Sequence, residues 1–166
     1  CRKKISLVDD LTTSKDDRRG AIGDMHFVIQ KKRIDEDLLV VGGDNIFTTG
    51  LAPFLSFARA HEPYPVIGVY DIRKKIVARQ FGVVRLNAHK ALIDFQEKPQ
   101  RPKSALVAMC LYYFPKEKIG LVKDYMDSRE GSCDAIGLYI DWLRRKETVY
   151  GFIFKGSWFD IGHHSS

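Results

Sequence analysis

The stretch "DLLVVGGDNIF", Asp37–Phe47, decides how the chain is read. Its apolar run, rich in Leu and Val up to Val41, breaks at Gly42 and Gly43 and is followed at once by Asp44. A short run of this kind predicts a strand covered on both faces, as in the interior of an α/β sheet. The two glycines let the backbone turn sharply and admit a bulky ligand close to the main chain. In open α/β sheets ligands gather beyond the carboxyl ends of the strands, where Asp44 falls. A hard cation such as Mg²⁺ takes one or two such carboxylates and completes its shell with water and phosphate oxygens. The local alternative is that Asp44 bonds its own backbone and caps the next loop.

Outward from that strand the pattern alternates. Ile22, Met25 and Ile29 fall at helical spacing, predicting a helix over about 21–33 after a polar loop, "LTTSKDDRRG". Leu51, Phe54, Leu55 and Ala58 share one side of a second helix over 51–61, and 65–70 reads as another buried strand. Strand, helix, strand in that order suggests a right-handed parallel crossover. From Gly82 the segments "GVVRLN" and "ALIDFQEK" read as two strands joined by a tight turn. "SALVAMCLYYFP" is a further strand stopped by Pro115. Helices over 116–126 and 135–146 precede a last strand, "TVYGFIFK", which runs into "GSWFDIG". The expected fold class is α/β, mostly parallel, with a later part that is mixed and antiparallel.

Composition narrows the function. The 166 residues are 45% hydrophobic and 29% charged, which suits one domain with a real core. No apolar run approaches the length of a membrane span and no hydrophobic signal segment opens the chain, so a cytoplasmic protein with no membrane partner is expected. Three cysteines, Cys1, Cys110 and Cys133, form no CxxC pair and read as structural thiols. The net charge of +6 favours anionic partners. Lysines and arginines come in scattered pairs without interleaved aromatics, so nucleic acid is not expected. A phosphate-bearing small molecule, or a plainly solvated surface, fits the charge.

Two further places carry candidate chemistry. Asp160 follows the strand "VYGFIF", is bracketed by Trp158, Phe159 and Gly162, and could converge with Asp44 on one metal. In "FQEKPQRPKS", Glu97 can accept bonds from sugar hydroxyls while Lys98 meets a phosphate. Neighbours on a strand point to opposite faces, so joint action requires the strand to end there, as Pro99 suggests. A surface ion-pair hairpin is the plainer reading. Gly20 to Gly23, "GAIG", opens a helix and could approach a phosphate or base. His163 and His164 read as a terminal tail, and Trp142 and Trp158 as core or pocket wall.

Together, "DLLVVGGDNIF", "FGVV", "DFQEKPQRPKS", "LYYFPKE" and "GSWFDIG", with "DDRRGAIGD" and "CDAIGLYIDWL", resemble the sugar-1-phosphate nucleotidyltransferases, closest to the glucose-1-phosphate thymidylyltransferases and uridylyltransferases. The resemblance implies a Rossmann-like nucleotidyltransferase domain over 1–162 and a tail over 163–166. It implies a reaction in which a sugar 1-phosphate attacks the α-phosphorus of a nucleoside triphosphate (dTTP or UTP), releasing pyrophosphate. It assigns Asp44 and Asp160 to Mg²⁺, Glu97 to sugar hydroxyls, Lys98 to the sugar's phosphate, Gly82 to the wall of the sugar site and Gly20 to the nucleobase.

The departures are equally specific. The family's opening strand, its Gly-x-Gly-Thr-Arg-Leu loop and the following Pro-Lys pair have no counterpart in these residues, and Cys110 stands where a glycine is usual. The expectation is therefore an incomplete sheet whose open strand edges favour a homo-oligomer. A partial domain, poorly active alone, is expected as well. The alternative is a non-catalytic module that binds sugar phosphate or nucleotide, or that self-associates.

Overall fold

The structure is a computed structural model, and it describes residues 4–128 and 134–162. Cys1, Cys133, His163 and His164 lie outside the described residues. In chain order the elements are α1 (Gly20–Lys32), β1 (Leu38–Val41), β2 (Asn45–Phe47), α2 (Ala52–Ala60), β3 (Val66–Asp71), α3 (Lys75–Ala78), β4 (Gly82–Leu86), β5 (Leu92–Glu97) and β6 (Leu106–Phe114). After a 3-10 turn at Lys116–Lys118 come α4 (Gly120–Ser128), α5 (Ile136–Lys146), β7 (Tyr150–Ile153) and β8 (Trp158–Asp160). The expected segments are all present; the helix expected over 116–126 divides at the 3-10 turn, and β2, α3 and β8 are additions.

Strand β6 organises the sheet. Its nine residues pair along one edge with β3 and along the other with β1 and β4, and the six-stranded order continues to β5 beyond β4 and β7 beyond β3. β1, β3, β4 and β7 run one way, while β5 and β6 run the other. The α/β class holds, with β3–β7 the parallel ladder and β6 inserted in reverse between β1 and β3. The β1–α2–β3 crossover thus joins co-directional strands that are not neighbours.

Alternation along β6 builds three layers, because side chains switch faces at each residue. Tyr112 and Phe114 face a core with α1, α4 and α5, closed by Ile22, Tyr125, Tyr139, Trp142 and Leu143. Met109, Leu111 and Tyr113 face the opposite core with Phe54 and Ala58 of α2 and Phe154. Trp142 is core, as expected.

Strand β1 is covered on both faces in part: Leu38 and Val40 pack against the core under α1, α4 and α5, Leu39 packs against the opposite core, and Val41 is exposed. β1 pairs only with β6 among the described residues, so its outer edge has no ladder there. No described helix is long and apolar enough to cross a membrane.

Candidate functional site

The site opens where β6 changes partners. β1 leaves the edge of β6 after Val41↔Leu111, its last contact being the Gly42 N–H donating to the Cys110 carbonyl at 2.7 Å. β4 joins the same edge at Val83↔Val107. The divergence leaves a depression floored by Ala108, Cys110 and Tyr112, residues of one face of β6. It widens into a cavity of about 500 Å³. Asp44, Gly82, Glu97, Lys98 and Asp160 all line it.

The aspartates converge through a two-stranded ribbon. β2 and β8 pair antiparallel with Asn45↔Asp160, Ile46↔Phe159 and Phe47↔Trp158, and the Ile161 N–H donates to the Asp44 carbonyl at 2.9 Å. A methyl group on Gly162 would lie 2.5 Å from Asp44 Oδ2 and 3.2 Å from Asp160 Oδ1, so both carboxylates border one small volume. Asn45 Nδ2 donates to Asp44 Oδ1 at 2.7 Å, Trp158 Nε1 donates to Asn45 Oδ1 at 2.7 Å, and the Gly162 N–H donates to Asp160 Oδ1 at 2.9 Å. The local alternative for Asp44, a bond to its own backbone, is not seen among the described residues; its carboxylate accepts instead from the neighbouring Asn45 side chain.

Glu97 and Lys98 both border the cavity. Phe95 and Glu97 share a face of β5, and Lys98 then takes φ +41, ending the strand while its N–H donates to the Phe81 carbonyl at 3.2 Å. That turn brings the ammonium to the cavity beside the carboxylate. Burial raises the Glu97 pKa, and the Lys98 charge opposes the shift. Burial, with Asp44 next, also pushes the Cys110 thiol up. The Tyr112 hydroxyl is raised far by burial and then by Cys110 and Glu97.

Charge balance decides what the cavity can hold. Among its described lining residues, Asp44, Glu97, Asp134 and Asp160 are acidic and Lys98 alone is basic. An anionic ligand therefore needs added positive charge near the aspartates. Two carboxylates suit a hard cation that keeps waters and shares phosphate oxygens; a full protein cage of three or more ligating side chains is absent among the described residues.

Three glycines near the site sit in different settings. Gly20, with φ +74, lines an adjoining cavity of about 760 Å³ with Asp10 and Arg19; Ala21 and Asp134 border both spaces. Gly42 and Gly43 do not take positive φ. Gly42 is instead a packing site: a methyl there would lie 2.7 Å from Cys110 Sγ and 2.9 Å from Asn45 Nδ2. Asn45, Tyr112 and Gly137 were not singled out from sequence. For Asn45 the signal was present, an amide directly after the strand-end aspartate.

The family model for nucleotidyl transferases matches residues 3–166. Among curated relatives, the bifunctional protein GlmU of Methanocaldococcus jannaschii is 32% identical over 132 residues, covering 80% of this chain and 30% of that protein. Among solved structures, one from Bacillus anthracis, assigned as a glucose-1-phosphate thymidylyltransferase and crystallised in complex with a sucrose, is similar at a TM-score of 0.73. It is 19% identical, with 89% of this chain and 58% of that chain covered, a likeness of fold. The chain spans less than two thirds of either relative.

Proposed function

We propose that this chain, which belongs to the nucleotidyl transferase family, binds a sugar 1-phosphate in the cavity over β6 and serves nucleotide-sugar formation. The observation that carries this reading is the meeting of the Asp44–Asp160 ribbon and the Glu97–Lys98 strand end in one cavity. In the proposed reaction a phosphate oxygen of the sugar 1-phosphate bonds to the α-phosphorus of a nucleoside triphosphate. The bond from that phosphorus to the β-phosphate's bridging oxygen breaks, and pyrophosphate leaves. Positioning and charge neutralisation do most of the work in such a transfer.

Each residue has a part. Glu97 accepts hydrogen bonds from sugar hydroxyls and Lys98 offsets the phosphate charge. Gly82 brings its backbone to the ring, and Gly20 opens α1 next to the base. Asp44 and Asp160 are the residues that would hold Mg²⁺, and the acidic cavity wall supports that choice. When bound, the ion would add positive charge to a wall whose one described basic side chain is Lys98. The 166 residues contain no Gly-x-Gly-Thr-Arg-Leu segment, so strong triphosphate capture is not assigned to them alone. The outer edge of β1, unpaired among the described residues, supports self-association as a second property, read out by sedimentation.

Calorimetric titration tests the reading. Glucose 1-phosphate with Mg²⁺ is expected to bind the wild type and to bind Lys98→Ala at least about tenfold more weakly, as for loss of a charge-assisted hydrogen bond. No heat from folded protein with any sugar phosphate overturns it. Pyrophosphate release, assayed with triphosphate present, separates turnover from binding alone.

A further inference from the structure

The start of α5 presses on the two β5 side chains that face the cavity. The Phe95 ring occupies the room that side chains would take on two glycines. A methyl on Gly82 would lie 2.6 Å from Phe95 Cζ, and one on Gly137 would lie 2.9 Å from the same atom. The methyl on Gly137 would also overlap Glu97 Oε2. Gly137 is buried inside the first turn of α5 and does not take a positive φ. A glycine within a helix costs roughly 0.5–1 kcal/mol relative to alanine, so its backbone gives no reason for it. What it leaves is space, and the carboxylate of Glu97 fills that space.

The neighbourhood suits a carboxylate. The first turn of a helix leaves N–H groups without helical acceptors and carries partial positive charge. The residue before α5 is Ala135, which supplies no side-chain cap. Glu97 also lies at the end of a strand whose next residue, Lys98, turns away through a positive φ. Its side chain is thus bounded on the helix side by Gly137 and open on the cavity side.

We propose that Gly137 is a positioning residue: by having no side chain it lets Glu97 draw back against α5 and leaves the cavity wide enough for a hydroxyl-bearing ring. The inference rests on the sugar-phosphate reading for its ligand, but not for its geometry. A side chain at 137 drives the carboxylate into the cavity, where it takes the ring's place. The phosphate position at Lys98 is left as it was. Selectivity for sugar phosphate over bare phosphate is therefore set by a residue that contributes no side chain to the cavity it borders.

Two measurements on Gly137→Ala test this. In the first, the Glu97 carboxyl is followed by carbon-13 NMR titration without ligand. Its midpoint, raised in the wild type, is expected to move down toward that of an exposed glutamate as the group enters solvent. An unchanged midpoint overturns the proposal whatever the cavity binds. In the second, calorimetry compares glucose 1-phosphate with inorganic phosphate. The expected loss is tenfold or more for the sugar phosphate with little change for phosphate, and partial recovery in Gly137→Ala/Glu97→Asp, whose shorter acid makes room for the methyl. Equal loss for both ligands, or no recovery, overturns it. Should Gly137→Ala not fold because of the Phe95 ring, Phe95→Leu/Gly137→Ala is compared with Phe95→Leu, which removes the ring contact and keeps the carboxylate contact. A wild type that binds no sugar phosphate, with a Glu97 midpoint that still moves, defeats the functional reading and leaves the positioning role standing.

Discussion

Trp158 reaches across the ribbon to fix Asn45: its indole N–H donates to Asn45 Oδ1 at 2.7 Å, and the Asn45 amide in turn donates to Asp44 at 2.7 Å. A residue of β8 therefore orients the carboxylate that follows β1. Groups that hold a metal ligand in place typically contribute a factor of about 10–100 in metal affinity. Asn45→Ala is expected to weaken Mn²⁺ binding by about tenfold or more, measured by the electron paramagnetic resonance of free Mn²⁺. Trp158→Phe, which keeps the ring and removes the donor, should show a smaller loss in the same direction.

The half-buried position of Glu97 gives binding and stability opposite pH dependences. Its pKa is raised above the 4.5 of an exposed glutamate, so the folded chain holds that proton to higher pH than the unfolded chain does. The linked contribution to stability is then fullest below 4.5 and is lost as pH rises through the raised value. Sugar hydroxyls bind best to the ionised acid, so affinity for glucose 1-phosphate is expected to rise over the same interval. Inorganic phosphate controls for the ligand's own ionisation, and the difference between the two profiles should flatten in Glu97→Gln.

Gly42 predicts a repairable packing fault. A methyl there meets both Cys110 Sγ, at 2.7 Å, and Cys110 Cβ, at 2.8 Å. Overpacking of a filled site costs about 1–3 kcal/mol, so Gly42→Ala should lower the urea midpoint accordingly. Gly42→Ala/Cys110→Gly is expected to regain part of the loss, because the Cys110 atoms are gone while Asn45 Nδ2, at 2.9 Å, remains.

Tyr139 offers a gain in stability. It is fully buried, and its hydroxyl has no hydrogen-bond partner among the described residues. An unsatisfied buried polar group costs about 1–3 kcal/mol, and Tyr139→Phe keeps the ring contacts with Phe114, Tyr125 and Trp142. The variant should unfold at a higher urea concentration than the wild type.

How much of this was legible in the sequence depends on how local the signal is. Asp44, Asp160, Glu97 and Lys98 could be picked out because each follows an apolar run, and strand ends are read from neighbours. The partnership of Asp44 with Asp160 was harder, because β2 and β8 are three residues each and their register is set by tertiary packing of Phe47 and Trp158. The direction of β6 left no trace in composition, so the sheet was expected to be more parallel than its ladders are. The two-sided cover of β1 was legible because Leu38–Val41 is apolar toward both cores; that its outer edge has no ladder among the described residues was not, because edge position depends on strand order. Gly137 could not be found from sequence at all. Its role is defined by a carboxylate on another element.

The ribbon also fixes when the site comes into being. Asp44 leaves the ribosome long before Asp160, and Asn45 has no partner strand until Trp158 and its neighbours have been translated. The carboxylate pair therefore cannot come together until β8 has been made. A translation product halted ahead of β8 presents Asp44 without the strand that carries Asp160.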